Sequence, residues 1–144
     1  MSGDRGQALV LAVLALALAA LTIVGLREAQ DRILSDARDR RAGEAAVEAA
    51  GAALADAQLD FIASLRDELG AARRLPTLAE LSAFVTDPLV VERSRVAAAE
   101  LSAANGGGPV RGLEISAGTR TLDLALSVGA YRQRAAIVTA CCRR

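Results

Sequence analysis

Cys141 and Cys142 are the most reactive side chains in this sequence, and Arg143 and Arg144 follow them directly. A guanidinium nearby favours the thiolate, so nucleophilic or redox chemistry is the first thing to ask of this pair. In an extended chain adjacent side chains point to opposite faces, which disfavours the usual bridge geometry between them. With no third Cys, four states stay open: two free thiols, a strained vicinal bond, intermolecular thiol bridges, or a lipidated tail. Zinc needs more ligands than two neighbours supply, and the chain has no His to add.

Other chemistry is short of partners. All 17 basic residues are Arg, so neither His nor Lys is present to act as a base near neutral pH, and Ser94 or Ser127 would lack an ordinary relay. None of the 17 acids falls in a distinctive motif; their spacing suits surface ion pairs. Asn105-Gly106-Gly107-Gly108-Pro109 resembles an anion loop only in glycine content, since a phosphate loop calls for Lys with Ser or Thr at a following helix. Five Arg from Arg120 onward face only Asp123, a basic end without a nucleic-acid motif or an aromatic stacking set beside Tyr131. The chain therefore reads as a non-enzyme with no catalytic, cofactor or metal site, and no nucleic-acid partner is expected.

The elements explain more than the reactive groups do. Ala8–Leu26 is an uncharged run of nineteen residues, which as a helix reaches ~28 Å against a hydrocarbon core of ~30 Å. A bilayer-spanning helix over 7–26 is expected, after a short polar leader at 1–6. A cleaved secretory signal is the rival, because small residues recur at Ala17 and Ala19, but the apolar run is longer than such signals use and the positive region before it is slight. Arg27, Arg32, Arg38, Arg40 and Arg41 against Arg5 favour a cytoplasmic C-terminal flank by charge alone, though they alternate with acids and a long domain translocates despite its charge.

No Pro interrupts residues 7–75, and Arg27/Asp31, Glu28/Arg32, Asp36/Arg40 and Arg40/Glu44 sit at helical spacing. An Ala-rich helical stem over 27–75 is expected. Its small residues from Ala42 to Ala57 suit close approach of another helix, while Leu54, Phe61, Leu65 and Leu69 form a heavier stripe that would cover the chain's own C-terminal half. Thr77-Leu78-Ala79-Glu80 is a capping-box pattern, and short helices are expected over 76–105, the second with either a helical or an extended first turn at Leu89-Val90-Val91. Beyond the Gly run, Leu122, Leu124, Leu126 and Val128 alternate with polar or small residues, so 106–144 should be an antiparallel β region of three strands. The fold class is α+β.

Asp4-Arg5-Gly6-Gln7-Ala8-Leu9-Val10, the apolar run, the Ala-rich segment and the Asn105-Gly106 turn before alternating strands resemble TadE/TadG-like pilus-assembly proteins, minor pilin-like subunits of tight-adherence pili. The resemblance implies a pilin-like fold and a structural role through helix packing. It implies pilin or pilus-assembly proteins as partners through the N-terminal helix, and a prepilin peptidase cutting between Gly6 and Gln7. It also implies a bacterial cell membrane location, single-pass, with the C-terminal region extracytoplasmic. One position departs from the pattern: Leu11 stands at the fifth mature position, where such families usually carry a Glu that pairs with a neighbour's new amino terminus. The departure points to a minor, tip or initiating component, or an uncleaved relative. A single-pass scaffold or regulator unrelated to pili, and a secreted binding module starting near Ala20, are the alternatives.

Overall fold

The computed structural model describes residues 3–69 and 75–139. Its elements run α1 (Gly3–Leu69), α2 (Leu78–Val85), α3 (Pro88–Ala104), β1 (Val110–Ala117), β2 (Thr121–Val128) and β3 (Tyr131–Val138), an α+β fold with one long apolar N-terminal helix, short helices and a small antiparallel sheet. The chain divides into two compact units, Met1–Ala37 and Arg38–Arg144.

The first unit is helix alone. Ala and Leu are strong helix formers and no Pro intervenes, so α1 needs no tertiary partner to be favoured here. Of the four ion pairs expected along α1, Glu28/Arg32 (4.0 Å) and Arg40/Glu44 (3.2 Å) are formed, the latter in the second unit.

The second unit is a helix layer on one face of a sheet ordered β1-β2-β3. Leu122, Leu124, Leu126 and Val128 of β2 all point inward and are buried. Ile115 faces Leu124, and Ile137 faces Leu122, so the three strands present one apolar face in register. Gly112, at φ 60°, takes up an extra residue where the β1–β2 register shifts between Arg111 and Glu114, a bulge that the alternation did not reveal.

What covers this face differs from expectation. The Leu54–Leu69 stripe contributes Leu54 and Phe61, but the seal starts twelve residues before Leu54, at Ala42, and Ala42, Ala46 and Ala50 are fully buried. Ala42, Ala46 and Ala50 pack on the chain's own sheet, whereas Ala52 in the same stretch faces outward. At Gly43 the fit is tight, since an added Cβ would meet Gln133 Cγ of β3 at 3.1 Å; at Gly51 it would make only an ordinary contact, 3.8 Å from Ile137 Cδ1. Leu65 is half-buried, and Leu69's side chain lies outside the described set.

The short helices follow their local signals. Thr77 caps α2 reciprocally with Glu80, each side chain bonding the other's backbone N–H. Asp87 Oδ1 accepts from Leu89 N–H at 2.8 Å with Pro88 at the first turn, so 89–91 is helical and not extended. Phe84 stacks on Phe61 at 5.0 Å, tying α2 to α1. Ser94 Oγ on α3 is fully buried and has no hydrogen-bond partner among the described residues. Ser94→Ala should therefore raise stability by about 1 kcal/mol, read as a higher urea midpoint at unchanged m-value, because a buried hydroxyl without a partner costs its desolvation and returns nothing.

Candidate membrane and interaction surfaces

From Leu9 to Leu26 every residue of α1 is exposed, and no part of this stretch is covered by the protein itself. Eighteen residues rise ~27 Å as a helix, and the most apolar window has a mean hydropathy of 2.9, so this is one apolar helix long enough to cross a membrane. The polar group inside it is already satisfied: Thr22 Oγ1 donates to Leu18 O at 2.8 Å, leaving no free hydroxyl for lipid to oppose. Leu11, 64% exposed, belongs to this apolar surface. Gly6 and Gln7 lie in the first turns of α1.

Among the described residues the candidate reactive groups are not assembled into a site. Cys141 and Cys142 lie outside the described residues. Ser94 is sealed in the core, while Ser127 sits on the solvent side of the sheet opposite Arg111 and Arg132. Among the described residues no group of three or more His, Cys, Asp or Glu could hold a metal ion.

The glycine run is consumed by helix termination. Gly106, at φ 71°, follows the C-cap Asn105; its N–H donates to Ala103 O (3.0 Å), and Gly107 N–H donates to Ser102 O (2.9 Å), the two reverse bonds of a Schellman cap. Those amides are occupied and do not form an anion cradle. Gly107 also lies against the helix layer, since a Cβ there would collide with Ala42 Cβ and approach Ser102 Oγ to 2.8 Å. Ser102 Oγ in turn donates to Gly108 O at 2.9 Å.

A buried polar link secures the far end of the sheet. Gln58 Nε2 on α1 donates to Thr139 Oγ1, and Thr139 N–H donates to Arg120 O at 2.9 Å. The residue two places before Cys141 is thus held to both layers. Nothing in the sequence marked Gln58 as its partner, because the two lie 81 residues apart.

The other face of the sheet is open. Glu114, Asp123, Arg132 and Arg134 rise from it around a floor that includes Ser116, Ala125 and Ala136, enclosing a depression of about 480 Å³, and Arg111 stands on the same face outside it. Arg132 Nη2 bonds Glu114 Oε2 at 2.6 Å across β2, whereas Arg111 and Arg134 have no ion-pair partner among the described residues. On α3, hydrogen bonds from Arg95 hold the Glu92 carboxyl below the usual carboxylate range, with slight burial opposing; this pair is surface-exposed and belongs to no site. Comparison of the chain with family models, with curated proteins and with solved structures finds no match.

Proposed function

We propose that this chain is a membrane-anchored structural subunit, a minor pilin-like component of a tight-adherence pilus, that works by packing and not by catalysis. The observation that carries the reading is the apolar helix itself: Leu9–Leu26 is wholly uncovered, while the later part of α1 is built into an ordered head. A helix with no protein cover needs lipid or other helices around it. The Asp4-Arg5-Gly6-Gln7 opening supports leader processing by a prepilin peptidase, with the head on the extracytoplasmic side of a bacterial membrane. Leu11 favours a minor or initiating role, since an apolar side chain cannot make the charged pairing on which serial subunit recruitment depends.

Intact mass and N-terminal sequence of the protein recovered from membranes test this. A mature start at Gln7 is expected, with the Gly6–Gln7 bond cut. Retained Met1 would favour the unrelated single-pass scaffold, to which Leu11 also fits, and a start near Ala20 would make the chain a secreted module. Whole-cell accessibility of a C-terminal tag reads the orientation independently, and a cytoplasmic tag rejects the extracytoplasmic head.

A further inference from the structure

We infer that the chain pairs with a second copy of itself, parallel and in register, along one face of α1 that runs from Leu9 to Ala37. The stretch Arg27–Ala37 is exposed at every residue, yet it holds Ile33 at 67% and Leu34 at 54% exposure. Lipid does not cover them: Ile33 stands ~10 Å along the helix beyond Leu26, where the uncharged run ends. The chain's own sheet does not cover them either, since burial among the described residues of α1 begins at Ala42.

Spacing selects the partner. Ile23, Gln30 and Ala37 recur every seven residues with Leu26 and Ile33 between them, the alternating three-and-four pattern of a two-stranded parallel coil. The same phase carries back through Leu16 and Ala19 to Leu9 and Ala12. Every charged residue from Arg27 to Asp36 falls outside this seam, and Glu28 and Arg32, which pair with each other, lie away from it. Beyond Ala37 the seam positions pass to Arg40 and Glu44, an ion pair within the helix, so the seam stops just before the first buried residue, Ala42.

The flanks of the seam match between two copies as well. In a parallel coil a residue on one flank meets the residue five further along its neighbour, which sets Ala29 beside Leu34 and Asp36 beside Arg41. Asp36 and Arg41 have no ion-pair partner among the described residues, although Arg40 lies one turn from Asp36, because Arg40 is engaged by Glu44. Gln30 faces its own counterpart. An amide both donates and accepts, so two at one level satisfy each other. An identical chain anchored at the same depth brings Gln30, Ile33 and Asp36 to the matching heights with no further adjustment. Leu14 and Leu18 lie away from the seam and stay toward lipid. The pair rests on the reading of Leu9–Leu26 as a membrane helix and needs nothing of the pilus assignment.

Cysteine scanning of the full chain in its membrane tests the pair, in a Cys141→Ser, Cys142→Ser background with one Cys at each position from 28 to 37 and a mild oxidant. Gln30→Cys, Ile33→Cys and Ala37→Cys should form covalent dimers at least about fivefold faster than Glu28→Cys, Asp31→Cys and Ser35→Cys, since only seam positions face their own copies. With the reporter at Ile33→Cys, Asp36→Arg should slow bridging about threefold by like-charge contact with Arg41, and adding Arg41→Asp should restore it. Bridging that is absent or equal at every position, bridging that peaks at Asp31 or Ser35, or a charge swap that does not restore it overturns the inference. So does bridging found only between different positions when two single-Cys chains are co-expressed, which marks copies staggered along their axes. Alkaline extraction of the same membranes separates the two readings. A chain kept in the pellet without periodic bridging loses the pair and keeps the anchor, whereas a chain released into the supernatant loses both.

Discussion

Leu14→Arg combined with Leu18→Arg releases the chain from membranes. Both positions lie within four residues of the middle of the apolar helix, and both side chains are exposed, so neither supports the head. A central Arg costs roughly 2.5–3.5 kcal/mol on insertion and each lost Leu forfeits about 0.5 more, so the pair shifts insertion by about 6–8 kcal/mol, beyond a 10⁴-fold change. Alkaline extraction of membranes should find wild type in the pellet and the double variant in the supernatant or in aggregates. Leu14→Val with Leu18→Val should stay in the pellet. The urea midpoint of the head should be the same in all three. Pellet retention of the Arg pair would show that lipid does not surround this helix.

Gly107→Ala should destabilise the Arg38–Arg144 unit by about 2–3 kcal/mol, the upper part of the range for overpacking. Gly107 does not need a left-handed backbone, so conformational strain is not the cause. The cause is the added methyl, which has no room between Ala42 and Ser102: Ala42 is fully buried on α1 and its Cβ cannot swing aside, and Ser102 Oγ is held by Gly108 O. Ala42→Gly tests this assignment. Alone it costs about 1 kcal/mol in helix propensity and removes a buried methyl, yet in the Gly107→Ala background it should restore stability by at least about 1 kcal/mol. A double-mutant cycle from urea denaturation of the full chain in detergent reads the coupling. If the two changes simply add, the loop does not press on α1 as described.

Local signals in this chain were readable because each acts within a few residues. The uncharged run before Arg27, the Thr77–Glu80 box and the alternation from Leu122 to Val128 each settle a helix, a cap or a strand without reference to anything distant. The Gly run was legible as a stop, and Gly106 supplies the left-handed turn that a stop requires. The use of Gly107 was not legible, since its constraint comes from Ala42, far away in sequence.

By itself the sequence determined what kind of elements form and that one of them is apolar on every side, because hydrophobic period, composition and capping are properties of short windows. What only the tertiary structure decided is where the alanines go. Ala42, Ala46 and Ala50 carry the same small side chain as Ala52, and composition cannot tell a residue that lets a helix approach its own sheet from one that faces solvent or another subunit. That assignment depends on which side of α1 meets β2 and β3. It is fixed by contacts as distant as Gln58 with Thr139, where a buried amide must find its partner 81 residues along the chain.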